Sequence, residues 1–160
     1  YGNSSGRPSQ KNITEVFVTA HDLLAERTDI DSKRIVYIGR SIGGGVVCSL
    51  ARERKPAAMV LMSTFTSLVA MARKFLIPGF LVRDRFENIG VVKSFENPVL
   101  VIHGRHDDLI AHKHGVALSE TAPNGRLITY DAGHNDCPPD WNLFYRDLEK
   151  FLQDSGILFD

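Results

Sequence analysis

An α/β fold with a parallel sheet and helices on both faces is the class this sequence predicts, and two observations predict it. Four short runs, RIVYI (34–38), AAMVLM (57–62), PVLVIH (98–103) and RLITY (126–130), are almost continuously apolar. Strands with one wet face alternate, whereas strands covered on both faces do not. Stretches of helical composition separate the runs, and a strand–helix–strand alternation implies parallel pairing through right-handed crossovers.

Taken in chain order, residues 1–9 (YGNSSGRPS) are rich in Gly, Ser and Pro and read as a loop. Asn12 and Glu15 have the spacing of a capping box. Val16, Phe17, Ala20, Leu23 and Leu24 then recur at helical intervals, predicting an amphipathic helix that ends near Arg27. After the first strand, residues 46–54 have helical composition and stop before Pro56. The segment 64–96 is about three times the usual connection length and carries Pro78-Gly79 at its middle, which predicts a helical excursion. Inserted after a strand's carboxyl end, it is a lid candidate. A helix is expected over 113–120. Trp141, Phe144, Tyr145, Leu148, Phe151 and Leu152 mark a closing one.

The 160 residues are 43% hydrophobic and 24% charged, enough for one globular domain spanning 1–160. Lys+Arg and Asp+Glu both number 19, and no basic block tracks phosphates, so nucleic acid is not an expected partner. Cys48 and Cys137 are far apart and lack metal-ligand spacing, which weakly favours a reducing, cytoplasmic setting. No apolar run is long enough to span a membrane. The sequence opens on Tyr1 rather than Met, so a preceding segment is expected.

IGRSIGGG (38–45) places Ser41 in a GxSxG pattern between the first strand and the next helix. In that pattern the first glycine lets the chain turn off the strand and the second lets the helix come close. The serine is then held exposed near the helix's positive end. A serine hydroxyl needs a base to take its proton, and the base needs an acid to orient it. Past the third strand comes HGRHDDLI with Asp107, and past the fourth comes DAGHND with His134, each at a strand's carboxyl end. The order Ser41, Asp107, His134 is that of α/β-hydrolases rather than of the two other common serine-protease folds.

These stretches also resemble the Bem46-like, serine-aminopeptidase-like α/β-hydrolases. YGNSSGRPSQ is similar to that family's loop after its fourth strand, GRSIGG to its nucleophile elbow, HGRHDDLI to its HGxxDxxV acid motif, and AGHND to its histidine loop. DRFENI matches a further recurrent stretch, and the resemblance covers nearly the whole chain. It implies Ser41 as nucleophile, Asp107 as acid, His134 as base and the Ile42 backbone N–H as an oxyanion donor. By the same resemblance the first four strands of the family fold, and the loop supplying a second oxyanion amide, are absent from this sequence. The chain is then expected to be the C-terminal part of a longer enzyme, with an exposed edge at the Ser41 strand and weak activity or aggregation on its own.

The implied reaction is cofactor-free hydrolysis of a small acyl ester, a thioester or a peptide amide. The alternatives are a prolyl-oligopeptidase-type peptidase domain and a catalytically impaired binding module. Arg40 is a candidate for orienting the turn or a substrate. Phe65, Met71 and Phe75, with Leu68, Leu76, Phe80 and Leu81, are candidates for an acyl-binding wall or for plain core packing. Asp108 is expected to cap the following helix, and Ser63, Thr66 and Ser67 to form a turn. His103, His106, His112 and His114 straddle a strand end, a turn and a helix start, so no metal site is expected.

Overall fold

The computed structural model describes residues 6–159, so the Tyr1 to Ser5 part of the expected opening loop lies outside the described residues. Four strands, β1 (Val36–Arg40), β2 (Ala58–Met62), β3 (Val99–Gly104) and β4 (Gly125–Tyr130), form one sheet in the order β1-β2-β3-β4. All three pairings are parallel. Each strand thus pairs with the next in sequence. With right-handed crossovers, that order sends every connection over the same face.

The helices follow this rule. α2 (Ile42–Glu53), α4 (Asn88–Ser94) and α5 (Lys113–Thr121) pack side by side, α2 on α4 and α4 on α5. They bury Val47, Leu50, Val92 and Leu118 against Tyr37, Met59, Leu61, Val99 and Val101. α6 (Trp141–Asp154) returns over the opposite face, where Phe144 and Phe151 meet Ala58, Val60, Leu100 and Ile102. Odd and even strand positions therefore serve two different cores. That is why β2 and β3 are buried at every position and show no alternation.

The first helix departs from expectation. α1 spans Gln10–Ala25, and its cap is Ser9, whose Oγ accepts from the Asn12 N–H at 3.1 Å. Asn12 sits inside the first turn and its side chain donates back to the Arg7 carbonyl, so the Asn12/Glu15 capping box is not formed. α1 is moored to α2 by polar contacts: Arg54, the α2 cap, grips Asp22 with two hydrogen bonds of 2.6 and 2.8 Å, and Gln10 Nε2 donates to the Ser49 Oγ at 2.9 Å. Its apolar stripe stays open, with Val16 65% and Leu23 63% exposed and no residue buried. The side of α1 that packs on the rest of the chain carries Val18, His21 and Asp22, so the stripe expected from the periodicity is not the one that meets the core.

β1 is the edge of the described sheet, and Ile38, although inside a strand, is 48% exposed: of the β1 side chains only Val36 packs against the core on the α6 side. A cleft of about 700 Å³ runs along this side, lined by Phe17, Ile38, Arg40, Ile42 and Val46 among others. Between β2 and β3 the excursion holds α3 (Leu68–Lys74), a 3-10 turn at Gly79–Leu81 and then α4. Ser67 caps α3 by accepting from the Ala70 N–H at 3.0 Å. Among the described residues no helix is long and apolar enough to cross a membrane.

Candidate active site

Three loops at the carboxyl ends of β1, β3 and β4 converge on one point. The β1 loop is the tightest. Helix α2 begins at Ile42 rather than near Val46, so the turn between strand and helix is a single residue, Ser41. Ser41 takes φ 53° and ψ −121°, a left-handed conformation that costs a non-glycine residue about 1–3 kcal/mol. It is held there on both sides: its N–H donates to the Met62 carbonyl at 2.9 Å and its carbonyl accepts from Thr64 Oγ1 at 2.7 Å.

The glycines act differently from the sequence reading. Gly39 is needed for room: a Cβ there would sit 2.4 Å from the Gly43 carbonyl oxygen and 2.8 Å from the Gly44 nitrogen, backbone atoms that cannot step aside. The close approach expected at Gly43 falls instead at the next two positions, where a Cβ would meet Thr64 from Gly44 and Phe86 from Gly45. Gly43 itself meets nothing within 4 Å. Gly39→Ala is therefore expected to cost about 1–3 kcal/mol and to misplace Ser41, whereas Gly43→Ala is tolerated. Thermal melts of the two variants side by side check this, and equal melting points would contradict it.

Asp107 and His134 complete the cluster. Asp107 is 6% exposed and His134 8%. The His134 Nδ1 lies 2.7 Å from Asp107 Oδ2, and a carboxylate oxygen accepts, so Nδ1 carries the proton. This leaves Nε2 as acceptor, 3.1 Å from the Ser41 Oγ. The other oxygen, Asp107 Oδ1, accepts the N–H groups of Leu109 at 3.1 Å and Ile110 at 2.7 Å. The capping expected of Asp108 is thus done by Asp107 for its own turn. α5 instead starts after His112 with no side-chain cap. The Asp108 carbonyl accepts from Lys74 Nζ at 2.6 Å.

Two contacts support the cluster that sequence reasoning did not assign. Arg40 donates to the His134 carbonyl, tying the histidine loop to the residue beside Ser41. Behind Asp107, the fully buried His103 donates from Nε2 to the Ile110 carbonyl at 2.8 Å, and the same nitrogen lies 3.4 Å from Asp107 Oδ2. Gly115 makes room for this ring, since a Cβ there would meet His103 Nδ1 at 2.7 Å. The i, i+4 spacing of His103 and Asp107 was the available signal. The other histidines disperse: His106 pairs with Asp131, His112 with Thr129 and His114 with Thr66. Among the described residues no group of three or more His, Cys, Asp or Glu side chains is placed to hold a metal ion.

Burial holds the His103 pKa below its ordinary value of 6.5, and the same cause lowers that of His114. Below about pH 6.5 the unfolded chain takes up protons that these folded histidines resist, so stability falls with pH there and is regained above. Urea midpoints are expected to drop between pH 7.5 and 5.5, and to drop less in His103→Asn. An identical slope in that variant would remove His103 from the account.

The candidates for substrate contact divide. Phe65 is 3% exposed and packs with Val46, Phe86 and Ile110; Met71 leans on the same cluster. Phe75 is 60% exposed. Ser63, at φ 42°, and Thr66 with Ser67 lie in the turn after β2.

No family model matches the chain. An uncharacterized protein of Mycobacterium tuberculosis (strain H37Rv) is 34% identical over 164 residues, covering 99% of this chain and 58% of the relative. The human alpha/beta hydrolase domain-containing protein 17B is 36% identical over 155 residues, covering 96% of this chain and 52% of its own length. The chain thus spans little more than half of these relatives. Among solved structures, the meta-cleavage product hydrolase CumD of Pseudomonas fluorescens superposes with a TM-score of 0.69 at 16% identity, over 96% of this chain and 75% of that one. A thermophilic esterase from Thermogutta terrifontis gives 0.70 at 15% identity, over 97% and 77%. At such identities the likeness is one of fold.

Proposed function

The chain is an α/β hydrolase by kinship and by fold, and from that premise we propose that it carries the catalytic centre of a serine hydrolase acting on acyl esters, thioesters or amides. The observation that carries the reading is the unbroken hydrogen-bonded line from Ser41 through His134 to Asp107, assembled from the ends of three different strands.

In the proposed reaction Ser41 Oγ attacks the substrate carbonyl carbon as His134 Nε2 takes the hydroxyl proton. Asp107 keeps the imidazole in the Nδ1–H tautomer and stabilises its charged form. The carbonyl oxygen gains the negative charge beside the Ile42 N–H. That amide opens α2 and so has no acceptor within the helix. Collapse of the tetrahedral adduct returns the proton from His134 to the leaving group and leaves Ser41 acylated. A water molecule then gives a proton to His134 and attacks the acyl carbon; the second adduct collapses by breaking the bond to Ser41 Oγ, which takes the proton back from His134 as the acid leaves.

Ile42 and Leu109, 51% and 47% exposed, stand beside Ser41 and Asp107 and would form the apolar border for an acyl group. Phe75, on the excursion we read as a lid, extends that border. Arg40 serves as a positioning residue through the His134 carbonyl. No cofactor enters the reaction.

The test is covalent. Incubation with a fluorophosphonate probe and intact-mass measurement are expected to give one adduct, lost in Ser41→Ala and strongly slowed in His134→Ala. A folded chain that takes no adduct, or takes it on another residue, would overturn the reading.

A further inference from the structure

Residues 75–81, FLIPGFL, leave their apolar side chains in solvent. Leu76 at 92% and Phe80 at 84% are the most exposed large apolar side chains among the described residues, and Phe75 and Leu81 are each 60% exposed. The segment is nevertheless built. The N–H groups of Phe75, Leu76 and Ile77 donate to the last carbonyls of α3, and those of Leu81 and Val82 close the 3-10 turn. Leu76 takes φ 57°, a region leucine ordinarily avoids, and from there its side chain projects outward. Gly79 lies flat against Val69, where a Cβ would approach Val69 Cγ1 to 2.9 Å.

Charge flanks this tip along the chain. Arg73 and Lys74 precede it and Arg83 and Arg85 follow, against a single carboxylate, Asp84, in residues 73–85. Asp84 accepts from the Gln10 N–H and Arg85 pairs with Glu87, while Arg73 and Arg83 have no ion pair among the described residues. An apolar segment flanked in sequence by four cations and one carboxylate fits a surface that offers hydrocarbon beneath negative headgroups. A second copy of the chain would bring the same cations against its own.

We propose that residues 75–81 insert into anionic membrane surfaces. Lys74 ties the tip to the acid loop through the Asp108 and Leu109 carbonyls, so insertion brings the carboxyl end of the sheet to the lipid. Only this last consequence, that the acyl chain cleaved is one held in a bilayer, rests on the hydrolase reading; the attachment does not.

The experiment is co-sedimentation of the full chain with vesicles of phosphatidylcholine alone or mixed with phosphatidylserine. Binding is expected to favour the mixed vesicles. Leu76→Ser/Phe80→Ser, which alters only solvent-facing atoms, should reduce partitioning by roughly ten-fold or more. Arg83→Ala should reduce binding to mixed vesicles alone, by about five-fold. Val16→Ser/Leu23→Ser on the open face of α1 should leave binding unchanged, and Ser41→Ala should bind like the parent, separating attachment from catalysis. Absence of sedimentation would overturn the proposal. So would binding that survives the tip variant, or a loss reproduced equally by the α1 variant. A dimer in solution that the tip variant dissolves would assign the surface to a second copy instead.

Discussion

Ser41→Ala is expected to lower the turnover of an acyl ester by roughly 10⁴- to 10⁶-fold while leaving the fold intact. The reason lies in what the substitution does not touch. The Ser41 N–H and carbonyl, which bond Met62 and Thr64, belong to the backbone and remain. No other described side chain donates to His134 Nε2. What disappears is Ser41 Oγ, the atom proposed to form the acyl bond. Ser41→Gly makes the same deletion and also relieves φ 53°, so its melting point should exceed that of Ser41→Ala even though both are inert. Ester turnover and calorimetry on the two variants provide the check. Retained turnover would end the nucleophile assignment, and a lower melting point for the glycine variant would end the claim of strain.

Asp107→Asn should cost about 10⁴-fold in kcat through a tautomer rather than through a lost contact. The carboxyl oxygen that accepts from Leu109 and Ile110 must stay an oxygen, or the buried Ile110 N–H and its part-buried Leu109 neighbour would face an NH₂ group. An asparagine therefore turns its nitrogen toward His134 Nδ1. Nδ1 must then accept, the ring proton moves to Nε2, and Nε2 can no longer take the proton of Ser41. The loop keeps its shape, so stability should change little while probe labelling slows in step with kcat. A loss below ten-fold would move the acid role elsewhere.

Much of this site was legible before any coordinates, because the residues that build it act locally. Ser41 announces itself by a strand before it and glycines around it, and Asp107 and His134 by following strands of their own. The partners of Arg40 and His103 were not legible, since each is a carbonyl brought close by folding: that of His134, 94 positions along from Arg40, and that of Ile110, across a turn. The cap of α1 was misplaced for a similar reason. Ser9, Asn12 and Glu15 all have capping chemistry, and only the path of the chain from Arg7 decides among them. Phe65 and Phe75 are alike as letters, yet one fills a core and the other faces water.

The edge position of β1 has a consequence for isotope exchange. Ser41 donates across to β2, and the Ile35 carbonyl accepts from Ala57, so the odd-numbered residues of this strand turn their backbone groups inward. By the alternation of a parallel ladder, the amides of Val36, Ile38 and Arg40 point away from the sheet. In deuterated water Tyr37 and Gly39 should retain their protons long after those three neighbours have lost theirs. Ser41 thus stands at the end of a strand whose protection pattern is a comb, every second tooth missing, and anything that settles against that edge would be seen first as those three amides slowing together.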